Sequence, residues 1–284
     1  MPRLAVLGHP VAHSLSPAMQ TAALKEMGLA GEWSYEAIDV QPDEFKRVVH
    51  GLPAGGFEGA NVTIPHKHAA LEIADDASDR ARAIGAANTL SFGGGRIAAE
   101  NTDAPGLIAA LPDPPAGHRA LVLGAGGAAR AAAWALADAG AAVWVWNRTH
   151  SKTERLAEEL GVRPVEPEAT HRPIQLNRFE LVVNATSVGL EPSNREGADL
   201  KALHLDADSF TDQHLVVDLA YGSSETELVR AAREGGAQVI DGREILVHQG
   251  AQSLHIWTKR EPPLETMREA IQAAGSRRMA TDES

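Results

Sequence analysis

Residues 119–152 read RALVLGAGGAARAAAWALADAGAAVWVWNRTHSK, and this stretch decides the fold. RALVL is an apolar run of strand length, GAGGAAR a glycine-rich turn, and AARAAAWALADAG an alanine-rich helix closed by Gly140. VWVWN is the next strand and KTERLAEELG the next helix. Gly124-Ala125-Gly126-Gly127-Ala128-Ala129 fits a dinucleotide fingerprint, with small residues first, third and sixth. The first glycine permits a tight turn, the second lets a pyrophosphate approach the backbone, and the small sixth residue lets helix pack on strand. The helix N-terminus offers unpaired N–H groups to the anion. Glycines also mark ordinary turns; the strand before and the helix after give this one its meaning.

The residue that selects the cofactor is expected about 20 positions further on, after the second strand. An NAD site commonly has Asp or Glu there, to accept from the ribose 2′-OH. This chain has Asn147-Arg148-Thr149, with Lys152 one turn later. A carboxylate would repel a 2′-phosphate, whereas Arg148 offers a planar fork and Lys152 a second positive charge. The expected cofactor is NADP.

Working outward, Glu180–Asn184, His214–Leu219 and Gln238–Ile240 read as further strands and Glu225–Glu234 as a helix. Residues 162–178 hold three prolines with weak periodicity and receive no assignment. Towards the N-terminus, PDPPAG (Pro112–Gly117) reads as a stiff boundary. Before it, Arg3–Leu7, Trp33–Val40 and Gly59–Ile64 read as strands. Between the first two lies SPAMQTAALKEMG, with Ser16 at the expected N-cap, Pro17 at the first helical position and Gly28 at the C-terminal stop. This rhythm predicts an α/β protein of two domains, each with a parallel or mixed sheet. The last ten residues, GSRRMATDES, read as a frayed tail.

Composition narrows the class. The 284 residues suffice for two cores, and 44% hydrophobic with 23% charged residues is a globular balance. A net charge of −12 speaks against a protein that tracks nucleic-acid phosphates. The absence of cysteine removes disulfides, thiol nucleophiles and thiolate metal sites. The opening MPRLAVLGHP is too short for a signal sequence, and no run approaches the roughly 18 apolar residues of a membrane span. A cytoplasmic location is the expectation.

Four short motifs carry polar residues that folding alone does not require: Ser14-Leu15-Ser16-Pro17, Asn61-Val62-Thr63-Ile64-Pro65-His66-Lys67, Gly85-Ala86-Ala87-Asn88-Thr89 and Asn101-Thr102-Asp103. Singly each has a bland reading: Ser16 as a helix cap, Asn88 as a turn residue, Asp103 as a cap favoured by the helix dipole. Together they suggest chemistry. Hydride addition to a ketone builds negative charge on oxygen, which an ammonium can stabilise and protonate. A carboxylate beside that ammonium orients it, and Lys67 with Asp103 is the pair expected to do this.

SLSP, NVTIPHK, GAANT, NTD with Gly106, GAGGAAR, NRT, NATSVG, DLAY and the late LVHQGA…WT, in this order over residues 4–258, closely resemble the shikimate dehydrogenase family. The resemblance implies reversible NADPH-dependent reduction of 3-dehydroshikimate to shikimate in aromatic amino-acid biosynthesis. It implies Lys67 as catalytic acid/base and Asp103 as its partner and a substrate ligand. Ser14 and Ser16 resemble the pair that holds the substrate carboxylate. Asn61, Thr63, Asn88, Tyr221 and Gln249 match further substrate contacts. On the cofactor side it adds Thr186, Ser187, Leu219, Gly242 and Asp79 to the residues of the glycine turn and of Asn147–Lys152. It implies a substrate domain over 1–103 completed by 243–284, a Rossmann-type NADP-binding domain over 104–242, and an active site in the cleft between them. The chain departs from the family at Ser223, where Pro is common, and at Asp79, where Glu is common.

Other residues receive plainer readings. His66 and His68 flank Lys67, but no third ligand stands nearby, so no metal is expected. Trp134, Trp144 and Trp146 read as packing residues. The expected partner is the small-molecule substrate, without nucleic acid or membrane, in a monomer or homodimer. Two alternatives stand beside this reading. A quinate/shikimate dehydrogenase would turn over quinate with NAD; a regulatory protein that binds NADP without chemistry would have no use for Lys67 and Asp103.

Overall fold

The computed structural model describes residues 1–165, 172–190, 195, 197–221 and 225–282. The departure at Ser223 lies outside them. The chain forms two compact units, Met1–Gly106 with Leu246–Ser284, and Leu107–Ile245.

The first unit holds β1 (Arg3–Gly8), α1 (Ser16–Glu26), β2 (Ser34–Asp39), α2 (Phe45–Gly51), β3 (Phe57–Val62), α3 (Lys67–Glu72), β4 (Asp76–Ala77), α4 (Asp79–Ile84), β5 (Thr89–Gly93) and β6 (Arg96–Glu100). Helix α5 (Asp103–Ala110) leads out of it. Its six-stranded sheet runs β2-β1-β3-β5-β6-β4 and is mixed, with β5 antiparallel to both neighbours. The β5–β6 hairpin is absent from the sequence reading. Gly94 and Gly95, both at positive φ, form its turn, and such a glycine pair is the usual signal of a tight hairpin. Aliphatic residues of β1 and β3 pack with Phe45, Val49, Leu90 and Phe92 in one core.

The second unit is all parallel: β7 (Arg119–Leu123), α6 (Gly127–Asp138), β8 (Ala142–Trp146), α7 (His150–Leu160), β9 (Arg163–Pro164), β10 (Leu181–Asn184), α8 (Ala198–Ala202), β11 (Leu215–Asp218), α9 (Glu227–Glu234) and β12 (Gln238–Asp241). The strand order β12-β11-β10-β7-β8-β9 is that of a doubly wound dinucleotide-binding sheet, whose order reverses between β7 and β10. Helix α10 (Gly242–Thr258) carries the chain back to the first unit, where α11 (Leu264–Asp282) packs on α1.

Two local expectations are corrected. Leu15, not Ser16, occupies the N-cap of α1, and Ser16 and Pro17 are the first helical residues. The hydroxyl that meets an opening N–H is that of Ser14, which accepts from Ser16 N at 3.2 Å. The supposed tail is also helical, since α11 runs through Gly275 to Asp282. A single mid-helix glycine costs only about 1 kcal/mol relative to alanine, too little to end a helix already anchored by buried Met267 and Ile271.

Candidate active site

Sheet direction brings the four motifs of the first unit to one edge. Strands β1 and β3 are adjacent and parallel, so the SLSP segment and the Thr63–Lys67 segment leave from the same end. Strand β5 runs the other way, with Thr89 opposite Asn61, and Thr89 is in turn opposite Glu100 of β6. Asn88 therefore enters, and Asn101–Asp103 leaves, at that same edge.

There Lys67, first residue of α3, places Nζ 2.7 Å from Oδ2 of Asp103, first residue of α5. The side chains are 12% and 18% exposed, so the pair is sheltered yet open to a small ligand. Asn88 Nδ2 donates to the other oxygen of Asp103 at 2.9 Å, to Thr102 Oγ1 at 2.9 Å and to Gln249 Oε1 at 3.1 Å. Asn88 Oδ1 accepts from Thr102 N at 2.7 Å, which fixes the amide's orientation. Asp103 is not the cap of its helix. Asn101 does that work, accepting from Ala104 N at 3.1 Å while its own amide donates to Ala86 O at 3.0 Å. The Asp103 carboxylate is thereby left to Lys67 and Asn88.

Behind the pair, Asn61 is buried and hydrogen-bonded. Its Oδ1 accepts from Tyr35 OH at 2.8 Å, and its amide reaches Ser253 Oγ at 2.8 Å and Thr89 Oγ1 at 3.3 Å. Ser253 also meets Thr89 and Thr102. Ser253 and Tyr35 were not singled out from sequence, although Ser253 lies one turn after Gln249 and so on the same face of α10. Thr63 packs its methyl where a side chain on Gly8 would sit, 2.4 Å from an added Cβ. At Gly106 an added Cβ would lie 2.8 Å from the Gln249 backbone, so glycine there lets α5 approach α10 within this unit. His66 is buried, stacks on Phe45 at 4.4 Å and meets Val40 O at 2.8 Å, and burial lowers its pKa. His68 meets Gly85 O. His66 thus packs in the core, and His68 is exposed.

In the second unit every cofactor-side residue lies at or just beyond the carboxyl edge of the parallel sheet. Gly124 turns at φ +118°, and a Cβ there would sit 2.9 Å from Ala185 O. Gly126 is the N-cap of α6, in extended conformation, with nothing within 4 Å of a would-be Cβ. Ala125 precedes it and Ala128 is the second residue of α6, whose first N–H groups have no intrahelical acceptor and suit an anion such as a pyrophosphate. Asn147, Arg148 and Thr149 follow β8, with Asn147 Nδ2 donating to Thr149 O at 3.1 Å. Arg148 and Lys152 are exposed, and neither has a carboxylate partner among the described residues. Thr186 and Ser187 follow β10, Leu219 and Tyr221 follow β11, and Gly242 opens α10 with Leu219 O 2.7 Å from its would-be Cβ. These residues fit NADP: an open backbone cradle for a pyrophosphate and two exposed cations for a 2′-phosphate. Asp79 stands apart from them, exposed at the start of α4 in the first unit. Trp144 meets Phe179 edge-on and Trp146 meets His204, as packing residues do. Trp134 lies half-buried on α6. Among the described residues no helix is long and apolar enough to cross a membrane.

Comparison with known proteins agrees along the chain. The shikimate dehydrogenase substrate binding domain matches residues 6–90, the shikimate/quinate 5-dehydrogenase domain residues 111–221, and the shikimate 5′-dehydrogenase C-terminal domain residues 242–272. A "Shikimate dehydrogenase (NADP(+))" of Thermus thermophilus is 45% identical over 96% of this chain and 99% of its own. The protein of the same name from Methanopyrus kandleri is 41% identical, over 94% and 93%. A crystal structure of shikimate 5-dehydrogenase from Thermus thermophilus, in complex with NADP(H) and shikimate, superposes with a TM-score of 0.85 at 44% identity, covering 96% of this chain and all of that one. With this likeness running through both units and over 96% of its length, the chain belongs to the shikimate dehydrogenase family.

Proposed function

We propose that the chain catalyses reversible NADPH-dependent reduction of 3-dehydroshikimate to shikimate, a step of aromatic amino-acid biosynthesis. The observation that carries this reading is the Lys67–Asp103 contact at 2.7 Å, held in place by Asn88. The nicotinamide, when bound, supplies the hydride. Lys67 meets the ketone oxygen, stabilises the charge that grows there and gives up a proton from Nζ. Asp103 keeps the ammonium aimed and accepts a hydrogen bond from a ring hydroxyl. In oxidation the same groups act in reverse, with neutral Lys67 taking the hydroxyl proton. Asn61, Thr63, Asn88, Tyr221 and Gln249 hold ring hydroxyls, and Ser14 with Ser16 the carboxylate. The Gly124–Ala128 turn, Thr186, Ser187, Leu219 and Gly242 receive the dinucleotide, Arg148 and Lys152 its 2′-phosphate, and Asp79 makes a further cofactor contact. The reading includes a domain division at 103/104 and 242/243, a cytoplasmic location, and a monomer or homodimer.

The test is the purified protein with shikimate and NADP, read by absorbance of the reduced nicotinamide, with NAD and with quinate as parallel arms. Turnover is expected with shikimate and NADP and at least about tenfold less kcat/KM in the other arms, the size of one charged contact. Higher kcat/KM with quinate and NAD would replace this reading by the quinate one. No turnover in any arm would sink it.

A further inference from the structure

The parallel sheet of the second unit ends on a buried carboxylate that the chemistry above does not use. Asp218, last residue of β11, has no exposed surface. Its Oδ1 accepts from Asn184 Nδ2 at 2.8 Å and Ala220 N at 3.0 Å, and its Oδ2 from Thr226 Oγ1 at 2.6 Å. Among the described residues no cation pairs with it. Burial pushes its pKa up to about 6, and Asp241 on neighbouring β12 pushes the same way.

Each donor belongs to a different segment at the carboxyl edge. Asn184 ends β10, and its Oδ1 accepts from Thr186 Oγ1 at 2.7 Å and Thr186 N at 3.1 Å. Its amide also reaches Val188 O at 3.2 Å, so the shape of 184–188 depends on how this one side chain points. Ala220 lies between Leu219 and Tyr221. Thr226 caps α9 by accepting from Val229 N, and its methyl lies 3.0 Å from a would-be Cβ on Gly189, which has φ +92°. An unpaired buried charge is costly, and folding alone would favour a neutral residue here. A carboxylate has a compensating virtue. It only accepts, so it sets the direction of all three donors at once, whereas an amide must turn its NH2 towards one of them.

We infer that Asp218 is a positioning residue for the nucleotide site: together with Asn184 and Thr226 it locks the segments bearing Thr186, Ser187 and Leu219 into the shape that receives the cofactor. This rests on the NADP-binding reading above. The experiment measures NADPH affinity by fluorescence titration, and kcat and KM for shikimate, in the wild type, Asp218→Ala and Asp218→Asn.

Leaving three donors without their acceptor is expected to weaken NADPH binding about tenfold or more in Asp218→Ala, with KM for shikimate within about twofold. Asp218→Asn, which keeps the shape and most of the bonds, should stay within about threefold of wild type. A folded Asp218→Ala that binds NADPH like wild type overturns the inference. If that variant does not fold, Thr226→Val against Thr226→Ser decides. Weaker NADPH binding in the valine variant alone supports the inference, and equal binding in both overturns it. A wild type that does not bind NADPH refutes the underlying reading; a wild type that binds it beside unaffected variants refutes only this one.

Discussion

Asp218 makes a second, purely thermodynamic prediction. Its pKa rises from 3.8 to about 6 on folding, chiefly because burial disfavours the charged form. The folded state therefore holds this proton more tightly than the unfolded chain does. The stability that goes with the bound proton is fully present below the unfolded value, and it is lost as pH rises through the folded one. The difference between the two pKa values corresponds to about 3 kcal/mol of destabilisation at neutral pH and above. Asp218→Asn cannot ionise and escapes that loss, less whatever its weaker acceptance from the three donors costs. The variant should unfold at higher urea than wild type at about pH 8, by up to about 3 kcal/mol; the gap should shrink to about 1 kcal/mol by about pH 4.5 and nearly close only below the unfolded pKa of 3.8. Tryptophan fluorescence follows the transition, and three of the five tryptophans, Trp134, Trp144 and Trp146, lie in the unit that holds Asp218. Taking the difference between variant and wild type at each pH cancels other carboxylates, such as Glu180, which Arg119 holds down at about 2. A gap that does not change with pH would refute the reasoning.

Two further predictions concern packing and cofactor choice. Gly59→Ala would place a Cβ 2.1 Å from Trp257 Nε1, which donates to Leu90 O at 3.0 Å. Overpacking of this kind should cost about 1–3 kcal/mol and lower the melting temperature by several degrees, and an unchanged melting curve would count against the packing described here. Arg148→Ala should raise KM for NADPH about tenfold or more and leave KM for NADH nearly unchanged, because only the former carries a 2′-phosphate. Parallel rises for both cofactors would remove Arg148 from the 2′-phosphate site.

The second unit was legible because each of its signals is local. A strand, a glycine turn, a capped helix and the residues at the next strand end stand within 34 positions, and periodicity alone orders them. The first unit was legible in its polar residues more than in its topology. Lys67 and Asp103 could be paired by chemistry, but the hairpin that brings Asp103 back to the β3 edge turns on Gly94-Gly95, which passed unread. Ser253 was invisible for a different reason. Its partners Asn61, Thr89 and Thr102 lie more than 150 positions away, and nothing in SLHIW marks a serine as polar core. Asp218 and Asn184 look like ordinary strand ends until the three segments they join are placed side by side. The helical tail is not legible because Gly275 and the mostly polar residues after it carry no apolar periodicity.

The central claim is that Lys67, aimed by Asp103, carries the proton. The most direct test is Lys67→Ala, with kcat measured by nicotinamide absorbance and shikimate affinity measured separately by equilibrium binding. The account predicts a fall in kcat of about a hundredfold to ten-thousandfold with shikimate affinity within about tenfold of wild type. A variant that retains near wild-type kcat would contradict it.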